Sequence, residues 1–112
     1  MGGEVVLLKG VLGAGKTVFC KGLGAGLGVK QEVTSPTFTI MNVYEGGRLR
    51  FCHCDAYRLS GEAFEITDYA GEQNTVTAIE WPENLDFAAA GRVIEVWIEV
   101  IDKDKRKIRI EY

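Results

Sequence analysis

The chain has 112 residues, of which 46% are hydrophobic and 26% are charged, and its formal net charge at pH 7 is -3. This length predicts a single domain, and the proportions are those of an ordinary globular protein. The sequence argues against a nucleic-acid binder that works through overall positive charge, a disulfide-rich secreted domain and a membrane-spanning protein, and with no leader-like start it predicts a cytoplasmic location.

The first two predicted elements are a strand and a helix. The run EVVLLKG, from Glu4 to Gly10, shows no polar alternation, which is typical of a strand covered on both faces. Residues from Lys16 to about Leu27 predict a helix, with Gly28 as its C-terminal cap. Glycines inside a helix each cost about 1 kcal/mol relative to alanine, so we expect them to allow close packing of this helix on a sheet. These glycines are Gly22, Gly24 and Gly26.

A hairpin, a helix, a buried strand and a second hairpin follow. Residues 37–44 and 48–55 are strand-like, with a turn at EGG between them, and residues 60–69 predict a helix. The run TVTAIE predicts a buried strand that Pro82 ends. In the last hairpin, alternation places one set of apolar residues on a single face: Ile94, Val96, Ile98 and Val100. This order predicts an α/β fold on a mixed sheet, parallel in one part and antiparallel elsewhere.

The stretch GVLGAGKT, residues 10–17, fits the phosphate-binding motif G-x-x-x-x-G-K-[ST] in full. It follows a predicted strand and opens a predicted helix, which is the context that this motif requires. Glycines let backbone N–H groups turn toward phosphate oxygens, and the helix N-terminus adds about half a positive charge. We therefore predict that Lys16 pairs with the β- and γ-phosphates of a nucleotide and that Thr17 offers its hydroxyl to Mg²⁺. The alternative is a glycine-rich turn with an exposed lysine.

Two acidic residues end apolar strands, where a site for a magnesium-bound nucleotide needs a carboxylate. Glu80 closes VTAIE, and Asp55 closes RLRFCHCD. Strand alternation puts His53 and Asp55 on one face, so we expect these two side chains to act together. A hydrogen-bonded structural histidine is the alternative for His53. The residues by themselves leave the division of roles between the two acids open.

The run Cys-His-Cys-Asp also suggests a metal site. Cys52 and Cys54 share one face of the predicted strand at about 6–7 Å, too far apart for a relaxed disulfide. Two cysteines without a second Cys/His pair do not make a zinc site, and Cys20 is the only other thiol. We therefore expect the two cysteines of this run to pack in the core without a metal.

Two further stretches have the composition of nucleotide-sensing loops. TSPTFT, residues 34–39, is polar and contains threonines that could order around a γ-phosphate; the alternative is a plain loop entering a strand. DYAGE, residues 68–72, matches the D-x-x-G of GTPases. The residues before it look helical, and no N/T-K-x-D guanine motif occurs, so we place Asp68 on the surface at a helix end and predict adenine as the base.

Four stretches in this order, GVLGAGKT, TSPTFTI, HCDAYRL and IEWPE, resemble the TsaE family of bacterial tRNA threonylcarbamoyladenosine (t6A) biosynthesis. The first motif is shared with many families, whereas SPTF, H-x-D-x-Y-R and EWPE together are much more specific. The resemblance implies a P-loop NTPase-like mixed β-sheet flanked by helices. It also implies a small ATPase that uses ATP and Mg²⁺, acts with the proteins TsaD and TsaB to reset their complex between turnovers, and reaches tRNA only through that complex.

The resemblance further implies a role for each matching residue. Thr17 and Glu80 would hold Mg²⁺, Asp55 would assist hydrolysis, and Thr37 or its neighbour Thr34 would sense the γ-phosphate. The residues implied to hold the nucleotide are Gly10, Gly13, Ala14, Gly15, Lys16, Thr17, Val18, Trp81 and Arg106. Core packing is the alternative for Trp81. An arginine that stabilises transition-state charge would be Arg58 in cis, or would come from the partner.

Members of the family usually carry a helix-bearing segment before the first strand, whereas this sequence begins almost at the strand. The resemblance therefore implies a nucleotide pocket that lacks one wall, and an exposed edge that would favour self-association.

Two other functions are alternatives to the ATPase. One is a small-molecule kinase, which would need an arginine-rich lid that the sequence does not show, and the other is a nucleotide-gated binding module in which hydrolysis is incidental.

Overall fold

Six strands form one mixed sheet in the part of the chain that the computed structural model describes, residues 2–11, 15–31, 33, 41–57, 71–84 and 92–112. The strands are β1 (Val5–Lys9), β2 (Met41–Tyr44), β3 (Arg50–Asp55), β4 (Thr75–Glu80), β5 (Val93–Asp102) and β6 (Lys105–Glu111). Within these ranges, helix α1 (Lys16–Gly26) follows β1, and a single 3-10 turn (Pro82–Asn84) follows β4. The strand order across the sheet is β2-β3-β4-β1-β5-β6.

The central strands β3, β4, β1 and β5 run parallel, and the edge strands β2 and β6 pair antiparallel with their neighbours. Every residue of β4 is buried, as expected for a parallel strand covered on both faces. The register pairs both Leu8 of β1 and Asp55 of β3 with Glu80 of β4. Because the carboxyl ends of parallel strands meet at one edge of the sheet, the two acids lie together beside the loop that leaves β1.

Helix α1 packs on one face of this sheet. Its Cys20 and Gly24 are buried, and the partly buried Phe19, Leu23 and Leu27 pack against the core. The sheet contributes residues from β1, β3, β4 and β5 to the same cluster: Val6, Leu8, Phe51, Val76, Ala78, Val96 and Ile98. The helix ends at Gly26 with Leu27 as its C-cap, one residue before the predicted Gly28. Gly28 follows the cap with a left-handed φ of 84°, the conformation for which glycine is favoured after a helix end.

The helix glycines have different roles. A Cβ on Gly24 would lie 2.7 Å from Cγ2 of Val33 and 3.4 Å from two ring carbons of Phe51, so Gly24 does allow close packing. A Cβ on Gly22 or Gly26 would meet nothing within 4 Å. The prediction that all three glycines serve packing is therefore wrong for these two, because they lie on the exposed side of the helix.

Alanine at position 24 is expected to destabilise the fold, and alanine at position 26 to stabilise it. Overpacking costs about 1–3 kcal/mol, and the better helix propensity of alanine returns about 1 kcal/mol. Gly24→Ala should therefore lower the free energy of unfolding by roughly 1 kcal/mol, whereas Gly26→Ala should raise it by up to about 1 kcal/mol. Urea denaturation of the two variants measures the difference, and equal stability would contradict the packing assigned to Gly24.

The strands predicted at the two ends of the sequence and at residues 75–80 are confirmed. Of the predicted strand at 37–44 the structure describes only 41–44, which is β2, and the strand predicted at 48–55 begins at Arg50, because residues 48 and 49 belong to the bend before it. In β5, Val96 and Ile98 are buried while Val100, predicted on the same face, is 42% exposed. This end of β5 extends past the last residue of β1, which pairs with Trp97.

The predicted helix at 60–69 lies outside the described residues. No described helix is long and apolar enough to cross a membrane.

Candidate functional site

The glycine loop connects β1 to α1, as its motif predicts. Gly15 has a left-handed φ of 109°, a conformation that L side chains rarely adopt, and helix α1 starts at the next residue. The Lys16 side chain turns back toward the loop, where Nζ donates hydrogen bonds to the carbonyl oxygens of Gly10 and Val11. Lys16 is therefore buried and is not the exposed lysine of the alternative; phosphate binding by the loop stays a prediction.

Trp81 forms the other side of the lysine environment. Lys16 Nζ lies 3.8 Å from the centroid of the Trp81 ring. The centroids of the Tyr57 and Trp81 rings are 5.0 Å apart. Trp81 has a φ of 59°, a left-handed conformation that costs a bulky residue on the order of 1–3 kcal/mol. Burial lowers the pKa of Lys16, while the nearby carboxylates of Glu80, Glu83 and Asp55 act in the opposite direction. An anionic ligand placed here would favour the charged lysine.

Glu80 is the centre of the site. Glu80 is the last residue of β4 and is only 4% exposed. Its two carboxylate oxygens accept a hydrogen bond from the Thr17 hydroxyl at 3.2 and 3.3 Å. Thr17 stands in the first turn of α1, so a carboxylate and a hydroxyl meet at the positive end of a helix. Hard oxygen donors of this kind are the ligands that Mg²⁺ prefers, and Mg²⁺ usually takes one or two protein ligands plus phosphates and water. The donor set fits a magnesium ion.

His53 pairs with Glu80. Its Nε2 lies 2.5 Å from Oε2 of Glu80, and both side chains are almost completely buried. The prediction that His53 acts with Asp55 therefore needs correction: strand alternation gives the face of a side chain, but the partner is set by the neighbouring strand, here β4. No described residue bonds the other ring nitrogen, Nδ1.

Asp55 lies opposite Glu80 in the β3–β4 register. It is partly exposed, and its carboxylate accepts the backbone N–H of Tyr57 at 3.0 Å. Two acids thus stand side by side at the sheet edge in different environments. Glu80 is held by Thr17 and His53, while Asp55 accepts from the backbone N–H of Tyr57 and is partly exposed.

All three cysteines are buried thiols. Cys52 and Cys54 lie on the opposite face of β3 from His53, as predicted, and burial raises the pKa of Cys52 to about 11. Cys20, which the sequence argument set aside, joins His53 and Glu80 instead: one ligand atom from each lies within 4.8 Å of the others. Burial raises the pKa of Cys20 as well, far above its ordinary value. Helical spacing could have indicated Cys20, because it lies one turn after Lys16 and faces the sheet.

Comparison with known proteins shows the family of this chain. Residues 1–108 match the family described as "Threonylcarbamoyl adenosine biosynthesis protein TsaE". The chain belongs to the TsaE family. A relative from Treponema pallidum, named tRNA threonylcarbamoyladenosine biosynthesis protein TsaE, is 40% identical over 111 residues, covering 96% of this chain and 82% of the relative. The protein of the same name from Synechocystis is 46% identical over 89 residues, covering 74% of this chain and 57% of the relative.

A solved structure also resembles the TsaE-family fold of this chain. The crystal structure of YdiB from Bacillus subtilis superposes with a TM-score of 0.72 at 34% sequence identity, covering 94% of this chain and 65% of YdiB. This likeness confirms the predicted α/β fold with a mixed sheet. The chain thus spans about two thirds of the length of YdiB and 57% of the Synechocystis relative.

The other predicted residues fall in three places. Val18 is 69% exposed on the first turn of α1. Arg106 donates to backbone carbonyls of the β5–β6 turn, including Asp102 at 2.8 Å, so its described bonds support the hairpin. Gly13, Ala14, Thr34, Thr37, Arg58 and Asp68 lie outside the described residues. Their roles in this TsaE-family chain stay predictions, as do those of Val18 and Arg106.

A groove that the sequence does not predict lies beside the glycine loop. It has a volume of about 410 Å³ and is lined by Gly10, Val11 and residues of β5 and β6. Trp97 lines it with two cations near its ring: Lys9 Nζ lies 5.0 Å and the Arg109 guanidinium carbon 4.4 Å from the ring centroid. The groove exists because β5 extends past the last residue of β1, which pairs with Trp97, and this difference in strand length is not specified by the sequence pattern.

Proposed function

We propose that this TsaE-family chain is a Mg²⁺-dependent ATPase of the t6A pathway that acts with the TsaD and TsaB proteins. The observation that carries the proposal is the Thr17–Glu80 contact at the start of α1, with Lys16 directly before Thr17. This pairs a hydroxyl, a carboxylate and a lysine at the end of a glycine loop, as phosphoryl-transfer sites of this class require. The relatives' names supply the pathway.

In this proposal Thr17 and Glu80 hold Mg²⁺, which when bound neutralises charge on the β- and γ-phosphates. Lys16 gives up its contacts with the Gly10 and Val11 carbonyls to bind phosphate oxygens. Asp55, partly exposed beside Glu80, orients the attacking water and accepts its proton. Such sites contribute positioning and charge rather than covalent chemistry.

The groove next to the loop is where we place the nucleoside. Ligand pockets commonly measure about 300–1,000 Å³, and the groove of about 410 Å³ begins at Gly10 and Val11. Trp97 provides an aromatic surface for a base. We expect ATP to bind more tightly than inorganic triphosphate and Trp97→Ala to reduce that preference, measured by calorimetry. Equal affinity for ATP and triphosphate in the wild type would contradict this placement.

Repeated tRNA modification tests the proposed function. With TsaD, TsaB and tRNA supplied, we expect t6A formation to stop near one product per complex without this chain and to continue through many turnovers with it. Asp55→Asn should bind ATP yet fail to sustain turnover. An Asp55→Asn variant that sustains it would instead indicate a nucleotide-gated module whose hydrolysis is incidental, and a phosphorylated small product would indicate a kinase.

A further inference from the structure

We propose that Cys20, His53 and Glu80 form a binding site for a thiophilic divalent metal of the zinc class, distinct from the magnesium site although it shares Glu80. The three side chains come from α1, β3 and β4, and their ligand atoms lie within 4.8 Å of one another. A thiolate, an imidazole and a carboxylate are the ligands that zinc takes. This set differs from the oxygen donors that suit Mg²⁺.

The geometry needs only small adjustments. With bonds of about 2.0–2.3 Å, ligand atoms around one tetrahedral zinc lie roughly 3.3–3.8 Å apart. The His53–Glu80 pair, now at 2.5 Å, would open by about 1 Å, and the most distant pair would close by about as much. Side-chain rotation can supply both changes. With three protein ligands, a fourth position stays open for water.

The surroundings also favour a cation. Cys20 and His53 are completely buried and Glu80 nearly so, which shields the three ligand atoms from bulk water. His53 Nδ1 is buried and has no partner in the described part of the chain, so the ring has no bond on that side that fixes its tautomer or orientation. The imidazole can therefore exchange its contact with Glu80 for a metal. The Cys20 thiol would release its proton on binding, as metal-bound cysteines do.

Sharing Glu80 has a functional consequence that rests on the proposed ATPase. The Glu80 carboxylate now accepts a hydrogen bond from the Thr17 hydroxyl at 3.2 Å. A metal held by Cys20, His53 and Glu80 would draw this carboxylate away from Thr17. The zinc-class metal and the magnesium-bound nucleotide would then exclude each other. A thiophilic metal would act as an inhibitor that nucleotide displaces.

Cobalt(II) substitution tests the site, because Co²⁺ accepts the same ligands and absorbs light. The nucleotide-free chain, titrated without Mg²⁺, should bind one Co²⁺ with tetrahedral visible bands and a near-ultraviolet thiolate charge-transfer band. Cys20→Ser should abolish the charge-transfer band and weaken binding by at least about 10- to 100-fold, since even outer-shell changes have effects of that size. The matched control is Cys54→Ser, a buried thiol on the other face of β3, which should keep the band.

A wild-type protein without the charge-transfer band would overturn the proposal, as would a band that Cys54→Ser removes and Cys20→Ser keeps. Circular dichroism checks folding; if Cys20→Ser does not fold, Cys20→Ala takes its place, and the absence of the band from the wild type overturns the proposal without either variant. Adding Mg²⁺ and a non-hydrolysable ATP analogue should then bleach the band. A band that persists while labelled analogue is bound refutes mutual exclusion. An analogue that fails to bind even without cobalt refutes the ATPase proposal and leaves the metal site standing.

Discussion

Replacing Lys16 with alanine is expected to lower ATP hydrolysis by at least about 100-fold, the effect of removing one preorganised charge from a transition-state site. The Lys16 ammonium is held by the Gly10 and Val11 carbonyls and by the Trp81 ring. All three contacts keep it inside the loop, where phosphate oxygens would lie. Phosphate release from Mg-ATP, followed by malachite green or a coupled assay, measures the loss.

The matched control is Lys30→Ala, which removes an exposed lysine just after α1. It should hydrolyse ATP at the wild-type rate. Circular dichroism and urea denaturation establish that both variants are folded. A folded Lys16→Ala variant with intact hydrolysis would show that the loop does not cradle the phosphates, whatever the motif suggests.

Glu80→Gln is expected to have the second-largest effect, a loss of at least about 10-fold in the affinity for Mg²⁺ in the presence of nucleotide. Glutamine keeps nearly the same shape and can still accept a hydrogen bond from Thr17, so the packing around His53 is largely preserved. What it removes is the negative charge that would hold the metal. Titrating Mg²⁺ against a fixed concentration of ATP analogue, with calorimetric detection, gives the shift.

Glu83→Gln serves as the control for Glu80. Glu83 is exposed in the 3-10 turn that follows β4, so it contributes to the local charge without contacting Thr17 in the described bonds. It should leave the Mg²⁺ titration nearly unchanged. If Glu80→Gln also leaves it unchanged, the metal ligand is Asp55 and the roles of the two acids are exchanged.

Much of the fold follows from local patterns in the sequence. The buried strand at residues 75–80 was predicted with the bounds that the structure gives, because its apolar run stops at an acid and a proline. The helix start at Lys16 follows from the glycine motif. The glycines of α1 were only partly understood, since a sequence shows that a residue is small but not what lies opposite it. Only Gly24 faces Val33 and Phe51.

The sequence predicts which residues belong to the candidate site better than it predicts the contacts between them. Glu80 and Thr17 were both named, and the structure brings them together. The partner of His53 and the position of Cys20 were not foreseen, because both depend on the order of strands β3, β4 and β1 in the sheet. Alternation along one strand gives the face of a side chain. It does not say which strand or helix that face meets.

The most direct measurement is phosphate release from Mg-ATP by this chain, alone and with the TsaD–TsaB pair from the same organism. The proposed function predicts slow release by the chain alone and strong stimulation by the pair, with Lys16→Ala inactive in both conditions. The stimulation would place a further catalytic group at the interface with the partner. No stimulation, with the chain folded and the pair active in tRNA modification, would contradict a partner-dependent ATPase.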